Sequence, residues 1–515
     1  MSIVLSRRHL LQASAVAAAS GVAPLAPRSA LAQTPTQIQT AAPTILTAMT
    51  RVLEVKGKPA TVLGIEQAGG LSGLFLDPGQ RFNVQLVNKL KEETIVHWHG
   101  QTPPVAQDGV AMTGEEKTIQ PGATKTYDYA PRVGTHWMHS HQGMQEMQLL
   151  AGPLIVRSAE DVKQDAQEVT LMLHDFTFKS PEEVMKTVTG GSMVSMGSGS
   201  GGAAAPAPAT PPAMAGMPGM SGMSGMSGGS GKPAAGQLPM QMGGGSQPDL
   251  NDFDFDAYLA NDRTLDDPMV VRMERRGRVR LRIINGASST VFWIDLGAVE
   301  GTVIAVDGAP VRPVRGRRFP IAMAQRLDIM LDVAPGTVVP VLAQREGDRV
   351  RTGLILAAPG ANVAKIAELA AKPSEAMGLS LESQLRALTP LAPRRADREL
   401  QVVLGGGMSP YKWSINGRGW EDRQPLQISK GQRVVFNIVN QTPMGHPMHL
   451  HGHVFQVIEL NGKALSGAER DTLQVPGKSS AMIAFDADNP GRWVFHCHNL
   501  LHMETGMITE VVYGT

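Results

Sequence analysis

His496-Cys497-His498-Asn499-Leu500-Leu501-His502-Met503-Glu504-Thr505-Gly506-Met507 lies near the end of a 515-residue chain. On a strand, successive side chains take opposite faces, so His496 and His498 point one way and Cys497 the other. On a helix the two histidines would diverge by about 200°. A strand here serves two sites back to back. Two imidazoles, one thiolate and a weak axial methionine build a blue copper electron-transfer site. His502 and Met507 stand downstream for that set, and His446 is the evident source of the second imidazole. Cys497 is the only cysteine, so no intrachain disulfide forms.

Working outward, the same spacing recurs. The chain has 14 histidines, and eight fall into His-X-His pairs: His97/His99, His139/His141, His449/His451 and His496/His498. One such pair is commonly a surface accident. Four pairs suit four strands aiming two imidazoles each at one place, and imidazole suits copper, zinc, iron and nickel. His9 falls in the leader. His174 stands beside Asp175 without partner spacing and reads as structural. His136 is out of phase with His139 and His141 and should face away. His453 shares the parity of His449 and His451.

The surroundings read as β. Short Val/Ile/Leu-rich runs broken by Gly, Pro and Asn fill 45–157, return at 268–358 and return again at 398–513. Turn signals such as Pro78-Gly79 and Pro121-Gly122 precede strand-like runs. Three blocks of this length predict three sandwiches in series. The expected boundaries are 45–157, 165–358 and 398–515. A helical-looking stretch at 361–388 falls in an interdomain linker, 359–397. Residues 187–248 hold Gly, Ser, Ala, Pro and Met with one charge, Lys232, and cannot bury a core.

The first 32 residues read as a leader. Arg7-Arg8 precede an apolar run that ends in Ala30-Leu31-Ala32. The paired arginines resemble the twin-arginine export signal. No other apolar run is long enough to span a bilayer. The formal charge of +1 and the absence of charge blocks argue against nucleic acid or a membrane surface as partner. A soluble, exported, periplasmic monomer is the expectation.

His97-Trp-His-Gly, His136-Trp-Met-His-Ser-His, His446-Pro-Met-His-Leu-His-Gly and His496-Cys-His-Asn-Leu-Leu-His-Met-Glu-Thr-Gly-Met together resemble the four copper signatures of multicopper oxidases. The resemblance spans nearly all of the chain after the leader, outside the Met-rich segment. It implies an all-β fold of three cupredoxin-like, Greek-key β-sandwich domains in series, four copper ions and a trinuclear cluster between the first and third domains. It implies type 1 copper on His446, Cys497 and His502 with Met507 axial, near an exposed edge of His446. It implies type 2 copper on His97 and His449, and a type 3 pair on His99, His139, His141, His451, His496 and His498. Electrons would pass from the type 1 site through Cys497 to its histidine neighbours, and dioxygen would be reduced to water. Asp108 matches the acidic residue the family places near the cluster; read alone, Asp108-Gly109 is also a turn. Many copper-oxidising relatives carry a glutamate where this chain has Met503, and Glu504 is the nearest substitute.

The reductant is read from methionines. Residues 193–242 hold nine of 28, and Met214, Met217, Met220, Met223 and Met226 repeat every third residue. Thioethers select Cu(I), and the repeat resembles the Met-rich segments of copper-resistance oxidases. Met444 resembles a methionine that cuprous oxidases place beside type 1 copper, although Thr442 stands where an acid is usual. Oxidation of cuprous ion in copper tolerance is therefore the leading expectation. The alternatives are a laccase-like oxidase of phenols and aromatic amines, and a non-enzymatic copper-sequestering protein.

Overall fold

The structure is a computed structural model that describes residues 42–190, 250–274 and 277–514. The expected leader and the Met214–Met226 repeat lie outside these residues. The described strands form six sheets, two from each of three successive stretches of chain. The first stretch pairs the sheet Lys58–Gln67, Thr44–Val55, Phe82–Asn88, Thr124–Tyr129 with a sheet containing Gly134–Ser140 and Val96–His97. The second stretch runs from Gln167 to Ala357 in six-stranded and five-stranded sheets. The third runs from Arg398 to Tyr513, and its five-stranded sheet has the order Leu426–Ile428, Ile508–Tyr513, Arg492–Cys497, His446–Leu450, Thr472–Val475.

Burial separates two kinds of strand. Phe82–Asn88 alternates buried and half-buried residues, as expected of a strand with one face on a core. Gly134–Ser140 and His446–Leu450 are buried at every residue. One face of such a strand packs on its own sandwich and the other on a neighbouring block. These are the strands that carry the histidine motifs.

One guanidinium touches all three blocks. Arg326 of the second stretch donates from Nη1 to Asp471 Oδ1 of the third at 2.7 Å and from Nε to the Thr135 carbonyl of the first at 3.1 Å. Arg470 adds ion pairs to Asp307 at 3.1 Å and to Glu382 at 2.8 Å. A buried charge is costly unless paired, so removing one partner here would cost on the order of 3–5 kcal/mol.

The stretch 361–388 is not helical. It holds one short 3-10 turn, Glu382–Gln384, and isolated bridges from Leu369 to Val350 and from Ala387 to Val311. Its Ala, Leu and Glu content suits a helix, but Pro373 and Gly378 interrupt it. Ala370, Leu381, Leu385 and Ala387 are instead buried as the segment drapes along sheet edges. Tertiary burial outweighs propensity.

Candidate metal centre

Strand register converts the sequence pairs into a cluster. His97 stands opposite His139 on antiparallel strands, and His449 stands opposite His496. The neighbouring rung sets Met448 opposite Cys497, so Cys497 shares the face of Met448 and His446. All eight paired histidines but His141 are buried, and His141 is half-buried.

The ring nitrogens show what this cluster is built to hold. Three Nε2 pairs face each other: His97 and His449 at 3.4 Å, His139 and His498 at 3.4 Å, and His451 and His496 at 3.0 Å. The opposite nitrogens are engaged. Nδ1 donates to the Asp108 carbonyl from His97 (2.8 Å), to the Asp471 carbonyl from His449 (2.8 Å), and to the Cys497 carbonyl from His496 (2.9 Å). His451 Nδ1 donates to Asp108 Oδ2 at 2.9 Å. His139 Nδ1 lies 3.0 Å from the Ser140 carbonyl and 2.8 Å from Glu146 Oε2.

A proton on Nδ1 leaves a lone pair on Nε2. Lone pairs facing at these distances repel unless a cation stands between them. Two nitrogens each about 2.0 Å from one tetrahedral metal lie about 3.3 Å apart, so the spacing fits. His99 is reversed: its Nε2 reaches Asp471 Oδ1 and Thr472 Oγ1, both at 3.1 Å, and its buried Nδ1 has no partner. His141 Nε2 is likewise buried without a partner. Burial pulls His99, His139, His141, His449, His451 and His498 well below the usual histidine value, and His496 down to about 3. These rings are neutral, with free lone pairs, at any physiological pH.

The other face of the Cys497 strand carries a second donor set. Cys497 Sγ lies 3.7 Å from both His446 Nδ1 and His502 Nδ1, which are 3.0 Å apart. In a trigonal set with nitrogen at about 2.0 Å and sulfur at about 2.3 Å, the sulfur-to-nitrogen distance is about 3.7 Å. Met507 is buried, and its carbonyl accepts from the Cys497 N–H at 3.0 Å. Burial pushes the Cys497 thiol up, so the thiolate needs a cation beside it. The soft sulfur and two imidazoles match copper better than a hard ion.

The expected exposed edge of His446 is absent. His446 and His502 are both fully buried. Trp413 packs on both rings, with centroids at 5.1 Å and 4.1 Å. His446 Nε2 is 2.7 Å from Thr442 Oγ1, and Met444 is buried close by, its carbonyl 3.1 Å from the same hydroxyl oxygen.

Three acids beside these rings carry no motif. Glu146 bonds His139 as above, and its buried Oε1 lies 3.8 Å from His498 Nδ1 without a hydrogen bond. It lines a cavity of about 10 Å³, room for one water, with His141, His496, His498 and Met503. The position left without acid by Met503 is therefore faced by Glu146. Burial, reinforced by Asp175, pushes Glu146 well up; burial, reinforced by Glu146, brings Glu504 to about 7. Asp471 holds His99. Asp252 accepts from His502 Nε2 at 3.0 Å. Burial works to raise Asp252, but the His502 ring and the hydrogen bonds from His502, Tyr411 and Asn499 hold it down at about 2.

The other described histidines stand outside the two donor sets. His453 bonds Tyr513 Oη at 2.6 Å and the His451 carbonyl at 3.0 Å. His136 Nε2 lies 3.3 Å from the Val133 carbonyl. His174 is buried in the second block with neither ring nitrogen bonded.

Profiles described as multicopper oxidase match residues 47–161, 207–339 and 394–515. The chain is 32% identical to the multicopper oxidase MmcO of Mycobacterium tuberculosis over 84% of this chain and 80% of that one. It is 25% identical to copper resistance protein A of Escherichia coli, covering 86% and 88%. The crystal structure of a multi-copper oxidase from Pseudomonas thermotolerans superposes with a TM-score of 0.64 at 21% identity, covering 91% and 98%, and supports the fold of three cupredoxin-like sandwiches.

Proposed function

Since the chain belongs to the multicopper oxidase family, we propose that it oxidises cuprous ion outside the cytoplasm in the service of copper tolerance. The observation that carries this reading is the thioether repeat Met214, Met217, Met220, Met223 and Met226. The insert ends at residue 248, and Asp252 bonds the His502 ring. The repeat thus precedes, in sequence, the segment that meets the thiolate donor set. Met444 is buried beside His446. The full burial of His446 and His502 leaves no ring edge for a phenol to stack on. The name of the copper resistance relative agrees.

In this reading His446, Cys497, His502 and Met507 hold type 1 copper. His97 and His449 hold type 2 copper. His99, His139, His141, His451, His496 and His498 hold the type 3 pair. Copper held there would supply one-electron redox chemistry, linking single-electron donors to the four-electron reduction of dioxygen. The chain does the rest. Cys497 is covalently joined to His496 and His498, so one backbone segment links the two donor sets. Asp108, Glu146 and Asp471 fix ring orientation and leave lone pairs facing inward. Reduction of dioxygen to two waters consumes four protons. Asp108 and Glu504, with Glu146 between Glu504 and the rings, are the groups that handle them.

No helix among the described residues is long and apolar enough to cross a membrane. In this reading the paired Arg7-Arg8 would direct export to the periplasm. The test is deletion of residues 190–245. Turnover with Cu(I) should fall far more than turnover with a phenol, and equal losses would sink the proposal. Absence of oxygen uptake by copper-loaded protein with any good reductant would favour sequestration instead.

A further inference from the structure

Asp252 comes from the second stretch of chain, yet its side chain is 1% exposed and is held largely by the third. Oδ1 accepts from His502 Nε2 at 3.0 Å and from Tyr411 Oη at 2.8 Å. Oδ2 accepts from Asn499 Nδ2 at 2.7 Å and from Ser289 Oγ at 3.2 Å. The carboxylate is fully satisfied and held by four donors. His502 is used at both ends: Nδ1 faces Cys497 and His446, and Nε2 meets Asp252.

His446 is treated differently. Its remote nitrogen meets a neutral hydroxyl, Thr442 Oγ1, at 2.7 Å. That hydroxyl donates in turn to Asn440 Oδ1 at 2.8 Å. One imidazole of the pair therefore leans on a full negative charge and the other on a dipole. A hydrogen bond to an ionised acceptor is roughly twice as strong as a neutral one. A carboxylate on the far nitrogen also raises the basicity of the near one. A more basic donor favours the more positively charged state of a bound metal.

We propose that Asp252 is a positioning residue that lowers the reduction potential of the centre held by His446, Cys497 and His502, acting through His502 alone. The inference rests on the copper reading of that centre. Tyr411 is its counterweight, because the phenol donates to the same oxygen and draws charge away from His502. The two residues should therefore move the potential in opposite directions.

The experiment is a redox titration of the copper-loaded full chain, followed by its thiolate-to-copper absorption. Asp252→Asn keeps the shape and removes the charge. It should raise the midpoint by about a tenfold change in equilibrium with a one-electron mediator, about 59 mV, with copper content unchanged. Tyr411→Phe should lower it. A purely structural role would change copper content or broaden the absorption and would not give opposite signs. An unchanged potential in Asp252→Asn with intact absorption, or shifts of one sign in both variants, overturns the inference. If Asp252→Asn does not fold or take up copper, Tyr411→Phe decides: a fall supports the inference, and no change or a rise overturns it. Absence of the absorption from the loaded parent chain would instead refute the copper reading beneath it.

Discussion

Asp108 Oδ2 lies 2.9 Å from His451 Nδ1, joining residues 343 positions apart in the chain. The same aspartate accepts from His97 through its backbone carbonyl at 2.8 Å. A substitution at 108 keeps the second contact and loses the first. Asp108→Ala should therefore leave His97 oriented and free the His451 ring. Loss of such an outer partner typically costs 10–100-fold in metal affinity or activity. Oxygen uptake per bound copper should fall by that order, with Asp108→Asn less affected because its amide oxygen still accepts. Equal activity of the alanine variant and the parent would show that His451 needs no such anchor.

Cys497→Ser separates the two donor sets. The thiolate belongs to one face of the strand and the eight paired histidines to the other. The variant should lose its blue absorption and its oxidase activity while binding about three coppers per chain in place of four, measured by metal analysis. Persistence of the colour would mean that another group supplies the charge-transfer ligand.

The four His-X-His pairs were readable because strand geometry forces residues two apart onto one face, whatever the rest of the fold does. The strands themselves were readable for the same reason. What failed to show was everything contributed across blocks. Asp252 sits in the run Asp252-Phe253-Asp254-Phe255-Asp256, where Phe253 and Phe255 are buried and Asp254 is 92% exposed. Alternation alone would have sent Asp252 to solvent with the other acids. Glu146 follows His141 by only five residues, and that proximity was the one available signal. Asp471 had none, since its partner His99 is 372 positions away. The helix expected over 361–388 failed for the converse reason: local propensity was legible, and the sheet edges that overrode it were not.

Glu346 supplies a pH test remote from the histidines. Its carboxyl is buried, accepts from the Met377 N–H at 2.5 Å, and is pushed by burial to about 7. A raised folded-state value means that the protonated acid is the favoured form. The stabilisation is complete below the ordinary glutamate range and is lost as pH rises through about 7. Glu346→Gln is neutral at every pH. Between about pH 5 and pH 8, urea unfolding of the parent should lose on the order of 3 kcal/mol relative to the variant. Parallel curves for the two proteins would show that the carboxyl is not buried as a neutral acid.

Glu504 and Glu146 together test the proton route. Glu504 stands at about 7 because burial raises it and the neighbouring Glu146 raises it further. A group of that kind holds a proton below about 7 and has lost it above. If Glu504 feeds the cluster, oxygen uptake should fall as pH rises through that value. Glu504→Gln should remove this limb and depress the acid plateau. Glu146 is itself pushed well above the usual glutamate range by burial, so Glu146→Gln, which keeps an oxygen for His139, replaces a neutral acid and should leave the falling limb in place. The two variants thus predict different profiles from one geometry. A limb that stays in place in both, measured as kcat against pH with a saturating reductant, would assign the protons to Asp108 instead.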